Sequence, residues 1–149
     1  MVLGVVLLAV AATLYQKNAR TSLVGGYPAD FDPRAPAPEE PIPASYETSA
    51  PGLPRLVALG AGRCIPCKAM APIRIELRKE YPGALAVDYY DIWVDKEAGR
   101  HFEVWSIPTL IFFDSLGGEL ERREGFTAKG DILGIFSSHG IRLRKTSSP

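Results

Sequence analysis

Only two cysteines occur in the 149 residues, and both fall in Cys64-Ile65-Pro66-Cys67. The setting of this pair constrains the fold more than any other feature. Leu56-Val57-Ala58-Leu59 reads as a buried strand, and Gly60-Ala61-Gly62 breaks it. Cys67 to Glu80 then carries helical periodicity through Met70, Ile73 and Leu77. The pair therefore stands at a strand-to-helix junction, with Cys64 near the helix N-terminus. There, backbone N–H groups without helical partners and the positive end of the dipole favour thiolate over thiol. Arg63 and Lys68 add positive charge on either side. Cysteines in such settings ionise at about pH 7 or below rather than about 8.5. Positions three apart in a regular helix hold their Cβ atoms about 5–6 Å from each other, whereas a disulfide needs about 3.8 Å. Closing the ring therefore requires Cys64 at the cap, and Pro66 suits a first turn because its missing N–H would go unused. So small a ring adds little stability, and its value lies in opening and closing. The motif reads as a redox pair.

Other uses of two cysteines fit less well. Structural zinc takes four ligands, and only His101 and His139 could join the cysteines, at no finger-like spacing. Two soft thiolates could hold Cu(I), but no methionine or histidine clusters near the motif. An inert structural disulfide would gain little from so short a loop. Nothing resembles a flavin or nicotinamide site, so no bound cofactor is expected and the electrons must pass to or from another dithiol protein. Acidic and basic residues balance at 17 each, which gives no reason to expect nucleic acid.

Further residues extend the pattern. Cys64-x-Pro66-Cys67-Lys68 is followed by Pro72, then by Ser106-Ile107-Pro108-Thr109 leading into Leu110-Ile111-Phe112-Phe113, by Gly117-Gly118, and by a short strand ending at Gly125-Phe126. From about Leu53 to Ile141 the chain resembles the thioredoxin family. The resemblance implies a redox-active Cys64–Cys67 disulfide and a cis peptide at Ile107–Pro108 beside it. The backbone of Ile107 would then pair with an extended substrate segment and hold its sulfur over Cys64. Trp105, close to this loop, is a candidate lining of the substrate groove. The chain also departs from the family. Arg63 and Ile65 stand where Trp and Gly are usual, the family's buried acid falls on Ala58, and its nearby lysine falls near Tyr89. Arg63, Ile65, Pro66 and Lys68 are thus the residues expected to tune the pair.

Four stretches are expected. Residues 1–20 contain an apolar run, Val2 to Tyr15, shorter than the roughly 20 residues of a membrane span but within the about 7–15 of a signal core. They read as a signal peptide or an N-terminal membrane anchor. Lys17 and Arg20 follow the run, and the positive-inside rule would hold that flank in the cytoplasm. The domain is expected outside the cytoplasm, with the cytoplasmic face left open. Residues 21–54 are rich in proline and read as an extended, semi-rigid linker. Residues 55–142 form the catalytic domain, and 143–149 a flexible tail.

Within the domain, Ala84 to Trp93 reads as a strand, and Asp95 can cap a short helix to Glu103. Thr109 to Phe113 is a wholly apolar central strand, and Asp114 to Gly118 turns into the charged edge strand Glu119–Glu124. Thr127 is expected to cap a last helix running to about Ser138. The fold class is α/β, a minimal thioredoxin fold of order β-α-β-α-β-β-α, with a four-stranded mixed sheet and flanking helices. Trp93, Trp105 and Phe126 read most simply as core or near-core aromatics, and His101 and His139 as surface groups. The resemblance implies a monomeric thiol–disulfide oxidoreductase acting on protein disulfides, with reduction the favoured direction. A membrane thiol transporter or another dithiol protein would supply its electrons, and cytochrome c biogenesis is one setting. A binding module with slow cysteines and a copper-handling dithiol remain the alternatives.

Overall fold

The structure, a computed structural model, describes residues 23–24, 27–47 and 50–146. The run Val2–Tyr15, which carries the signal-or-anchor expectation, lies outside them. Among the described residues no helix is long and apolar enough to cross a membrane. The described residues up to Asp32 and those from Pro33 onward belong to two separate units. In the first, the two-residue strands β1 (Leu23–Val24) and β2 (Tyr27–Pro28) pair antiparallel, and the Tyr27 and Phe31 rings lie 5.4 Å apart.

The second unit contains β3 (Arg55–Gly60), α1 (Ile65–Glu80), β4 (Ala86–Asp91), α2 (Lys96–His101), β5 (Thr109–Phe113), β6 (Glu119–Glu124) and α3 (Lys129–Ser138). This is the β-α-β-α-β-β-α order expected. The sheet runs β4-β3-β5-β6, with β3 parallel to β4 and antiparallel to β5, and β6 antiparallel to β5. The strands without polar interruption take the centre because both of their faces are covered. Alternate residues of β3 and β5 point to opposite sides. Leu56, Ala58, Leu110 and Phe112 pack against Met70 and Leu77 of α1 and Ile132 and Phe136 of α3. Val57, Leu59 and Ile111 meet Tyr90, Ala98, Phe102 and Val104 on the other side. The charged strand β6 forms the exposed edge, where its Glu and Arg side chains discourage pairing with another sheet.

Several boundaries move for identifiable reasons. Helix α1 starts at Ile65 rather than Cys67 because Cys64 takes the N-cap and its sulfur accepts the Cys67 N–H. Strand β4 stops at Asp91, whose carboxylate accepts the N–H groups of Gly62 and Trp93 and turns the chain. Asp95 caps α2 as expected, accepting the Ala98 N–H at 3.2 Å, but the helix ends at His101. Glu103 lies just beyond it at φ +53°. Thr127 does not cap α3. Ala128 holds that position without a side-chain bond, while the Thr127 hydroxyl donates to the Gly125 carbonyl.

The proline-rich stretch 21–54 is not free of the domain throughout. Glu40 pairs with Arg74 and Arg78, and the Tyr46 hydroxyl donates to Asp95 at 2.8 Å. Arg55, paired with Asp88 at 2.6 Å in the interior, also donates to the Tyr46 carbonyl. Polyproline conformation leaves backbone groups without internal partners, so such a segment can lie along a surface as readily as span solvent. At the other end, residues 143–146 do not stand clear either. Leu143 packs on the core, Lys145 reaches Glu80 at 2.9 Å, and the Thr146 N–H donates to the Glu80 carbonyl. Burial pushes the Glu80 carboxyl up, but Lys129 and Lys145 outweigh it and hold the group below its ordinary range.

Candidate active site

The carboxyl ends of the parallel strands β3 and β4, the start of β5 and the N-terminus of α1 meet at one edge of the sheet. The register pairs Leu59 with Thr109, which brings Ile107 and Pro108 to the end of β3 that leads into the cysteine loop. Cys64 and Cys67 are joined in a disulfide with their Cα atoms 5.2 Å apart. Cys64 accepts the Cys67 N–H at 3.3 Å as the N-cap of α1, and the first turn of that helix holds no acidic residue. Opened, the Cys64 sulfur would sit at the positive end of a helix dipole, where an anion is favoured by about 0.3–1 kcal/mol or more. Cys64 is half-buried while Cys67 is only 1% exposed. Of the two sulfurs, only that of Cys64 is open to attack a bulky partner.

Two contacts shape the loop. Asp91 accepts the Gly62 N–H at 2.8 Å, tying the cysteine loop to the end of β4. A side chain at Gly60 would be tightly crowded. A methyl group there would meet Cys67 Cβ and Sγ at 3.1 Å and Tyr89 Cε2 at 3.2 Å. Tyr89 therefore lies beside the buried sulfur. Over the face of its ring stands the Arg74 guanidinium, 4.2 Å from the centroid. Burial pushes the Tyr89 hydroxyl up to about 12, and Arg74 only partly opposes it.

The residues singled out from sequence take different positions. Ile65 and Pro66 occupy the first turn of α1, and Ile65 is exposed. Arg63 places its guanidinium 5.8 Å from the centre of the Trp93 ring, and the Lys68 ammonium donates to the Pro33 carbonyl at 2.6 Å. The Ile107–Pro108 peptide is cis, with Pro108 buried and Ile107 half-buried. Trp105 is 90% exposed and Trp93 53%, so neither belongs to the core. Both stand in connections, Trp93 after β4 and Trp105 after α2. Ala58, at the family's acid position, is packed among core side chains.

Asp91, Arg74 and Glu40 were not singled out from sequence, and Tyr89 only as the residue near which the family's lysine falls. Arg74 left the clearest signal, since it falls between Met70 and Leu77 on the apolar stripe of α1 and a cation there demands a partner. Glu40 left none, because its partner lies 34 residues away. An open hollow of about 500 Å³ between Tyr46, Arg55, His101, Phe102 and Phe113 lies at the opposite end of the sheet and includes neither cysteine. Among the described residues no group of three or more His, Cys, Asp or Glu could hold a metal ion.

Comparison with known proteins agrees with this geometry. The thioredoxin family model matches residues 48–136. A thioredoxin of Staphylococcus haemolyticus is 34% identical over 85 residues, covering 57% of this chain and 81% of that protein. One from Staphylococcus aureus is 30% identical over 96 residues, covering 64% and 91%. A solved structure described as that of a malarial protein superposes with a TM-score of 0.55 at 22% identity, covering 58% of this chain and 97% of the other; it shares the fold. With the family model matching well over half of its length, the chain belongs to the thioredoxin family.

Proposed function

We propose that this protein reduces disulfides in other proteins, and that the first 54 residues hold its domain near a membrane, outside the cytoplasm. The observation that carries the proposal is the asymmetric pair at the start of α1, Cys64 accessible and Cys67 buried one turn on. In the reduced protein the Cys64 thiolate attacks one sulfur of a substrate disulfide. A mixed disulfide forms, and the substrate's second sulfur leaves and takes up a proton. Cys67 then loses its proton and attacks the Cys64 sulfur, closing Cys64–Cys67 and releasing the substrate as a dithiol. Two electrons have passed to the substrate, and a second dithiol protein must return them. A membrane thiol transporter is the donor we favour, with cytochrome c maturation as one process served. The chemistry needs no cofactor beyond the disulfide, as in thioredoxins generally.

Substrate would lie along Ile107 and Pro108, flanked by Trp105. Ile65, Trp93 and Val94 are also exposed, so an extended segment with apolar side chains fits this edge better than a charged one.

The reduction potential of the full chain, equilibrated with glutathione, tests the direction. A value near about −270 mV supports a reductase, and one near about −120 mV overturns that direction in favour of an oxidant. Cys67→Ser is expected to accumulate the mixed disulfide with a disulfide-bonded peptide, visible on a non-reducing gel, while Cys64→Ser should form none. A pair that never cycles overturns the oxidoreductase reading and leaves a binding module.

A further inference from the structure

Behind the buried cysteine lies a charge cluster that the exchange reaction does not explain. The Glu40 side chain is 3% exposed and lies between two arginines of the cysteine-bearing helix. Arg74, whose side chain is equally buried, engages both carboxylate oxygens through Nε at 3.1 and 2.9 Å and one of them again through Nη2. Arg78 Nη1 donates to Oε2 at 2.8 Å, and its Nε donates to the Val87 carbonyl. Two guanidiniums thus share one carboxylate, and the buried Arg78 Nη2 finds no acceptor among the described residues. The cluster is not remote from the sulfurs. Arg74 stacks on the face of Tyr89, and Tyr89 and Cys67 both crowd the same side of Gly60.

We infer that Glu40 is a positioning residue of the redox centre: its carboxylate offsets the Arg74 and Arg78 charges behind Cys67 and thereby sets how readily the Cys64–Cys67 disulfide accepts electrons. The inference rests on the disulfide-exchange reading and adds to it a working part outside the cysteine helix, within the proline-rich stretch. The physical reason is that the reduced pair, unlike the disulfide, can release a proton and carry a thiolate at this site. Each disulfide takes two electrons and two protons to become two thiols, and thiolate forms where the surroundings are positive. Buried cations interact far more strongly than surface ones, because less water screens them. Arg63 and Lys68 are at the surface side of the pair and Asp91 at the loop, while the buried Arg55–Asp88 pair closes the far end of β3 and β4. The Glu40–Arg74–Arg78 group is the one that reaches the cysteines through Tyr89. Neutralising Glu40 leaves two uncompensated cations that favour the reduced, thiolate-bearing form. Removing the Arg74 charge does the opposite.

The test equilibrates the full chain and its variants with oxidised and reduced dithiothreitol at one pH. Dithiothreitol supplies the two electrons and two protons and closes to its cyclic disulfide. Glu40→Gln is expected to shift the equilibrium toward the reduced protein about tenfold, which is about 30 mV less negative. Arg74→Gln should shift it the other way, and Glu40→Asp, which keeps the charge, should stay near the wild type. Opposite signs support the inference, because a merely structural role would move both neutral variants in the same direction. If Glu40→Gln fails to fold, the sign of the Arg74→Gln shift decides alone: a shift toward the reduced protein, or none, overturns the inference. An unchanged potential in a folded Glu40→Gln protein overturns the inference while leaving disulfide exchange intact. A wild-type pair that never equilibrates overturns both.

Discussion

Cys64 and Cys67 are identical side chains three residues apart, yet one is half-buried at a helix cap and the other is sealed in the interior. The same dependence on surroundings governs the tyrosines. Tyr89 is pushed up to about 12 chiefly by burial. Tyr46 reaches about 12 chiefly because its hydroxyl donates to Asp95, which holds the proton in place. An acid whose pKa rises on folding supports the native state fully below its unfolded value, and that support is lost as pH climbs from the unfolded to the folded value. We therefore expect Tyr46 and Tyr89 to escape the ordinary tyrosinate transition near pH 10, and stability to fall between about pH 10 and 12. Ultraviolet titration alongside thermal melts checks this, and six tyrosines titrating together near pH 10 would refute it. At this scale the cysteines were legible in the sequence, because their spacing carries their chemistry. The tyrosines were not: Tyr89 stood out only as the residue near which the family's lysine falls, which says nothing of its burial.

Among elements, the junction between β3 and α1 does most to build the site. Gly60 ends the strand where Cys67 Sγ and the Tyr89 ring would lie only 3.1 and 3.2 Å from a methyl group. Its backbone needs no unusual φ, so the constraint is packing alone. Gly60→Ala should force the Cys67 or Tyr89 side chain aside, costing about 1–3 kcal/mol in urea unfolding and slowing disulfide exchange. An unchanged rate and midpoint would mean that the loop relaxes freely. The strand and helix flanking this glycine were readable from their apolar periodicity, as was the Asp95 cap of α2. Their ends were less so. The expected end of β4 ran to Trp93 because nothing local signals that Asp91 will turn back to Gly62. Thr127 looked like a cap by residue type, but the backbone enters α3 one position later.

Across the domain from Pro33 onward, buried charge ties distant segments together. Arg55 at the start of β3 pairs with Asp88 on β4, and it also donates to the Tyr90 hydroxyl and the Tyr46 carbonyl. Removing one partner of such a pair leaves an uncompensated ion in the interior, so Asp88→Asn should lose about 3–5 kcal/mol of folding stability. Denaturant unfolding measures it, and a loss below about 1 kcal/mol, the range of surface pairs, would show that water reaches Arg55. This far end of the sheet and the Glu40 cluster near the cysteines are both closed by residues that precede β3. The sequence alone determined the redox pair at its strand-to-helix junction, the wholly apolar central strand Thr109–Phe113 and the order of elements. Periodicity and helix capping act over a few residues, and their marks are therefore local. Only the tertiary structure decided that Trp93 and Trp105 are exposed, that Glu40 is buried, and that Arg74 stands behind Tyr89 beside Cys67. Whether a charge or a ring is covered depends on what packs against it, and for Glu40 that partner lies 34 residues further along the chain.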